Sequence, residues 1–438
     1  MISSSNGNSS MLLQDNYSSE DIQNIFNFLQ EKGTFNFPAL PNGLFSAAIL
    51  KDETAYTGYA HVWIRDNIYV AYTHYICGSP EIAVTNVCAI ASYFKKYQHR
   101  FENIIQGKAN PENVMERPHV RFVGATMQES AQKWQHGQND ALGYFLWLYC
   151  KLVIDGLITP ELEDWKLLGL FPSYFSAIRY WSDEDSGHWE EQRKIEASSI
   201  GIVVAGLKTL QQLLVRNSYQ TDSKVRNELL NTELIDKLIV LGNSALAKIL
   251  PAECIQSPPQ GRRYDAALIF LVYPLQIVEQ DMAKQIIQDV INNLQGDYGI
   301  RRYLGDSFWC RDYRDLPVEI RTTVSSDREQ WLANRGKPLI EGEEAQWCIF
   351  DPIMSIFFGQ QYQLTKEQKY LNQQIKYLNR SLSQLTDEED QNPSFRCPEL
   401  YYLQDGSYIS NDSTPLLWTQ ANLRIAFKVM QQSLSLNK

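Results

Sequence analysis

Apolar residues recur at helical spacing along almost the whole chain, and this repetition limits the fold more than any single motif does. Ser19 can cap a helix in which Ile22, Ile25, Phe26 and Leu29 share a face, with Gly33 as the stop. Similar patterns run from about Asp66 to Gly78, from Pro80 past Phe101 and from Asp140 to Asp155, and another opens at Thr159-Pro160. Ile200, Val203, Val204, Leu207, Leu210 and Leu214 lie on one side of the next. Further helices are expected near 233–249, 264–273, 282–294, 345–358, 366–384 and 416–432. Strand signals are few and short. The result is roughly a dozen helices whose alternate connections are long and rich in Trp, Arg and Asp, where ordinary connections run ~4–6 residues. A closed ring of helix pairs fits this count, and periodicity alone leaves a solenoid of helix pairs open beside it.

No low-complexity linker divides the 438 residues, so one domain is expected over 19–438. The Ser/Asn-rich, aperiodic residues 1–18 read as a disordered tail. A net charge of -11 argues against a phosphate-backbone partner, which needs a basic stripe, so no nucleic acid is expected. Ten Trp and 24 Tyr are a heavy load. Such rings suit the apolar faces of sugars, and equally the core of any large protein. The seven Cys are scattered, odd in number and never spaced C-x-x-C, which is neither a zinc pattern nor a disulfide framework. Reduced thiols suggest a cytoplasmic protein. The start has no basic, apolar leader pattern, and no apolar run is long enough to span a bilayer, so no membrane is expected. No metal and no cofactor are implied, and the sequence leaves a homo-oligomer open.

Four connections concentrate groups with no reason to lie in a helical core. In Trp63-Ile64-Arg65-Asp66-Asn67, Arg65 and Asp66 offer a donor fork and a two-oxygen acceptor, which suits vicinal sugar hydroxyls. The ordinary alternative is a helix cap with its surface partner. In Trp134-Gln135-His136-Gly137-Gln138-Asn139-Asp140, polar groups stand beside a Trp just before an apolar helix, and Asp140 has capping as its ordinary role. In Gly187-His188-Trp189-Glu190-Glu191, a carboxyl beside an indole is desolvated and its pKa rises, as a general acid requires. A solvated Glu-Glu pair is the alternative. In Pro398-Glu399-Leu400-Tyr401-Tyr402, a Glu among aromatics is either a buried acceptor or a base that polarises water. Arg301-Arg302-Tyr303-Leu304-Gly305-Asp306 and Glu344-Ala345-Gln346-Trp347 are weaker additions.

Taken in this order, the segments resemble the glycoside hydrolase family 15 domain of glucoamylases. They are similar also to the hydrolase-like domain of phosphorylase kinase alpha and beta regulatory subunits. The resemblance extends from about residue 37 to 430 and implies an all-α (α/α)6 toroid with the site at one end of the inner helices. W-x-R-D at 63–66 is similar to the segment whose Arg and Asp bind the sugar at the cleaved position, implying Arg65 and Asp66. W-x3-Q-x-D at 134–140 is similar to a second sugar-binding loop, implying Trp134, Gln138 and Asp140. H-W-E-E at 188–191 is similar to the acid segment, implying Glu190 as general acid and Glu191 as a substrate hydrogen bonder. P-E-L-Y at 398–401 implies Glu399 as base. Arg302 and Asp306 match a further sugar-contacting loop, and Glu344 and Trp347 match the start of a late inner helix. Trp63, Trp134, Trp189 and Trp347 would supply stacking or walls. His136 departs from the pattern, because fungal glucoamylases have Arg there.

The activity so implied is an inverting, exo-acting hydrolase releasing glucose from an α-linked glucan or oligosaccharide, its two carboxyls ~6.5–9.5 Å apart to admit water. The alternative implied by the second resemblance is a non-catalytic glucan-binding regulatory subunit. A third reading is an inverting hydrolase or phosphorylase of another sugar.

Overall fold

The computed structural model describes residues 11–49, 58–216, 229–321, 325–336 and 339–436. In chain order the helices are α1 (Ser19–Glu31), α2 (Ile64–Ile76), α3 (Pro80–Lys96), α4 (His99–Ile105), α5 (Asn139–Ile154), α6 (Leu162–Ile178), α7 (Ala197–Arg216) and α8 (Thr232–Ile249). They continue as α9 (Ile269–Val272), α10 (Gln280–Asn293), α11 (Val318–Arg321), α12 (Ser325–Asn334), α13 (Phe350–Thr365), α14 (Gln368–Ser383) and α15 (Leu417–Ser435). Two kinds separate by what their sequences can bury. α2, α5, α7, α13 and α15 are buried on almost every side. α1, α3, α8, α10 and α14 bury one stripe and leave the rest polar, as in α1, where Ile22, Ile25 and Leu29 face inward.

The first kind forms the inner ring. Among the described residues α2 packs on α5, α5 on α7, α7 on α9, α9 on α13, α13 on α15, and α15 returns to α2. This closed circle excludes the solenoid and gives the (α/α)6 toroid. Closure is reinforced where Lys428 Nζ donates to Ile76 O at 2.6 Å and Gln420 Nε2 to Asn36 O at 2.8 Å. α5 and α7 meet most intimately. A Cβ on Gly143 would sit 2.8 Å from the Ile202 carbonyl carbon, and one on Gly206 would sit 2.8 Å from Gly143 O. The two backbones touch because neither residue carries a side chain there. α7 is also long and apolar enough to cross a bilayer by composition, but its apolar surface is spent inside the ring.

Several boundaries differ from expectation for local reasons. The cap of α1 is Ser18, not Ser19, because Ser18 and Asp21 bond each other's backbone reciprocally. The run from Pro80 past Phe101 breaks into α3 and α4 between Lys96 and His99. α6 starts beyond Thr159-Pro160, where Glu161 and Asp164 form the capping pair. The 264–273 stretch makes only a 3-10 turn at Ala266–Leu268 and then α9. α13 begins at Phe350 rather than 345, because Gln346–Trp347 pairs as a strand. Of the tail expected over 1–18, residues 1–10 lie outside the described residues. Residues 11–18 depart from it: Leu12 and Tyr17 are buried, and the Tyr17 hydroxyl donates to Asn379 and to Leu12 O.

Two small antiparallel sheets stand at one end of the ring. The first joins β1 (Val62–Trp63), β2 (Arg121–Val123) and β3 (Gln128–Glu129), with Trp63 opposite Arg121. The second joins β4 (Gln346–Trp347), β5 (Leu400–Gln404) and β6 (Ser407–Ser410), with Trp347 opposite Leu400. β1 runs directly into α2, and β5 directly follows Glu399. The sheets therefore fix both ends of what lies between them.

Candidate active site

The loops leading into the inner helices converge on a cavity of about 660 Å³. Trp63, Arg65 and Asp66 arrive at the start of α2, Trp134 ahead of α5, and Trp189, Glu190 and Glu191 ahead of α7. Trp347 precedes α13, Trp418 opens α15, and Arg302 and Glu399 complete the wall. Of the residues singled out in the sequence, the cavity surface thus brings together Trp63, Arg65, Asp66, Trp134, Trp189, Glu190, Glu191, Arg302, Trp347 and Glu399.

Glu190 sits in a left-handed backbone conformation, φ 57°, which costs a non-glycine residue energy and persists only where the surroundings enforce it. Its carboxylate accepts from Trp63 Nε1 at 2.7 Å and from Arg65 at 3.4 Å. Burial raises its pKa, against the opposing charges of Arg65 and Arg121 and the bond from Trp63. Glu399 accepts from the Tyr59 hydroxyl and from Asn411 Nδ2, each at 2.5 Å. Burial pushes it up to about 7 despite those two donors. Asp66 is also pushed up, to about 6, by burial and by the nearby Glu190 charge, with Arg65 opposing. Three carboxyls on one surface are thus moved toward neutrality by desolvation.

Four expected sugar contacts lie behind the wall instead. Asp140 is fully buried and accepts from Arg65 at 3.0 Å, while Gln138 Oε1 accepts from the same guanidinium at 3.2 Å. Asp306 takes both forks of Arg302, at 2.6 and 2.7 Å. Glu344 binds the amides of Gly305 and Gly342, both at 2.8 Å, and pairs with Arg301. Asp140, Gln138, Asp306 and Glu344 therefore lie off the cavity lining in this structure. For Asp140, Gln138 and Asp306 the reason is shared: a guanidinium at the cavity must be answered from behind, and these groups answer Arg65 and Arg302. Arg302, so held, lies 5.0 Å from the ring centres of Trp189, Trp347 and Phe308.

Glu191 lines the cavity, but its oxygens are already engaged by Lys194 at 2.7 Å, by Arg262 and by the Tyr303 hydroxyl. Burial would raise its pKa, and the two cations outweigh that and hold it well below the usual carboxylate range. It is a fixed negative charge beside a protonatable one. His136 does not reach the cavity: its ring stacks on His119 at 3.7 Å.

Sequence reading missed Tyr59, Arg121, Asn411, Lys194 and Arg262. Arg121 reaches the site only because β1 and β2 pair across 58 positions, and no local pattern announces that. Tyr59 precedes the W-x-R-D segment by four residues in an ordinary-looking stretch. Asn411 follows Glu399 at the far end of the β5–β6 hairpin, which a hairpin signal at Asp405-Gly406 would have brought near.

Comparison with known proteins shows the family and the fold. The model for "Glycosyl hydrolases family 15" matches residues 30–421. A probable phosphorylase b kinase regulatory subunit alpha of Caenorhabditis elegans is 24% identical over 317 residues, 66% of this chain. The match spans only 24% of that much longer subunit. A wild-type glycosidase structure superposes with a TM-score of 0.66 at 14% identity, covering 95% of this chain and 99% of its own. The glucoamylase from Saccharomycopsis fibuligera gives 0.58 at 13% identity, covering 99% and 98%. At such identities the two structures speak for the fold.

Proposed function

Because the chain belongs to glycosyl hydrolases family 15, we propose that it is an inverting, exo-acting hydrolase releasing glucose from α-linked glucans or oligosaccharides. Glu190 protonates the glycosidic oxygen, and Glu399 takes a proton from water attacking the opposite face of the sugar. The observation that carries this reading is that both carboxyls line one cavity and are pushed by burial toward neutrality. A base near 7 is half-ionised at neutral pH and basic enough to draw a proton from water. Arg65 and Asp66 hold sugar hydroxyls, Glu191 offers a fixed negative charge, and Trp63, Trp134, Trp189, Arg302 and Trp347 wall the ring. Gln138, Asp140, Asp306 and Glu344 keep these groups in place. We assign the protein to the cytoplasm on its free cysteines.

The test is glucose release from maltose and longer oligomers, with the anomer followed by NMR. β-Glucose should appear first, and Glu190→Gln or Glu399→Gln should each lower kcat by ~10²–10⁴-fold. A variant that leaves hydrolysis untouched overturns the assignment. The kinase-subunit relative favours a second reading, a non-catalytic glucan-binding regulatory subunit. Saturable binding of oligosaccharides with no glucose formed selects it. The separation of the two carboxyls, expected at ~6.5–9.5 Å, distinguishes inversion from retention.

A further inference from the structure

Arg121 is 1% exposed, and its hydrogen bonds go to neutral partners. NH1 donates to Gln132 Oε1 at 3.0 Å. NH2 lies 3.3 Å from His61 Nδ1, which is also 3.0 Å from Gly58 O and can serve only one of them. Nε has no partner. The guanidinium carbon lies 3.9 and 4.8 Å from the ring centres of Trp134 and Trp63. Two other buried arginines lining the expected sugar pocket have an acid: Arg65 has Asp140, and Arg302 has Asp306. Arg121 alone among these three is a buried cation answered by rings and one amide, in a chain of net charge -11. Burying a charge without a counter-charge is costly.

Its place gives the reason a direction. Arg121 lies on the same cavity wall as Glu190, near enough for their charges to act on each other. Gln132 and Lys133 line that same stretch and are exposed. On the reading of Glu190 as the acid, this is the side toward which the leaving group departs. We propose that Arg121 and Lys133 form a leaving-group subsite that prefers an α-glucoside whose aglycone carries an anionic group, a carboxylate or a phosphate. The exposed Gln132 amide occupies the guanidinium edge in the free protein. An anionic oxygen replaces it because a charge-assisted bond to arginine is stronger than a neutral one.

The experiment compares maltobionate, whose aglycone is an open-chain carboxylate, with maltitol, its neutral open-chain counterpart. The ratio of their kcat/KM values should favour maltobionate by about tenfold, as one charge-assisted hydrogen bond allows. Maltose phosphorylated on its reducing-end sugar separates phosphate from carboxylate preference. Gln132→Glu, an exposed change that supplies Arg121 with an internal carboxylate, should bring the ratio near one, and Arg121→Gln should do the same. The ratio isolates the subsite, since any effect on Glu190 touches both substrates equally. Equal use of the two substrates overturns the proposal, as does a preference that survives both Gln132→Glu and Arg121→Gln. If neither compound is cleaved, the hydrolase reading fails instead. Calorimetric binding of maltobionate against maltitol, with and without Gln132→Glu, then decides the subsite by the same ratio.

Discussion

Glu190 and Glu399 share a cavity but are held differently: one by an indole and a guanidinium, the other by a phenol and an amide. The donors on Glu399 stabilise its charged form, so removing one raises its pKa further. Asn411→Ala should therefore shift the acidic limb of the pH–kcat profile upward from about 7. The same carboxyl affects stability. Its folded pKa of about 7 lies above the ordinary 4.5, so its contribution is complete below 4.5 and is lost as pH rises through 7. Above that pH the buried charge costs up to ~3 kcal/mol. Glu399→Gln should lower kcat as stated above yet raise the melting temperature relative to the parent at pH 8, and not at pH 4, in parallel thermal scans. The Asn411 Oδ1 atom is buried without a partner, so a turn of that amide accommodates the new side chain. Which acids line the site was legible, because Trp189-Glu190 and Pro398-Glu399 stand in connections. Which donors tune them was not, since Tyr59 and Asn411 are ordinary residues until the chain folds.

Among elements, the inner helices were the easier to misjudge. A helix buried all round has no polar stripe to mark its ends, so α13 was placed too early and the short α9 drawn too long, whereas amphipathic α8, α10 and α14 were read nearly correctly. Polar groups at inner-helix starts were likewise expected as ligands, whereas Asp140 and Gln138 accept from Arg65 off the cavity lining. The contact of α5 with α7 also rests on what is missing. Gly143→Ala places a methyl 2.8–2.9 Å from the Ile202 backbone, where no side chain can swing aside. It should destabilise by ~1–3 kcal/mol in urea titration. Because both helices carry site loops at the same end, kcat should fall with it even where the variant is fully folded.

For the whole molecule, closure changes the rule for damage. In a solenoid each unit contacts only its neighbours, and losing a terminal unit leaves the rest folded. Here α15 packs on both α2 and α13, so deleting residues 417–438 opens two interfaces and removes Trp418 from the wall of the site. Loss of the entire cooperative transition is expected by calorimetry; a folded remainder melting on its own would contradict the ring. The alternation of helices and loaded loops made a ring conceivable from sequence, but closure depends on the return of α15 to α2, which no local pattern encodes. The ring has an electrostatic consequence as well. Inner helices running in parallel aim their amino-terminal peptide dipoles at one spot, each worth about half a positive charge. Such a focus attracts anionic side chains whether or not any reaction occurs, so acids at this end are not by themselves a sign of chemistry. Glu191, held ionised, answers that field. Burial pushes Glu190 and Glu399 toward their neutral forms, so they offset it less than Glu191 does, and a carboxyl held back from full ionisation is suited to exchange a proton.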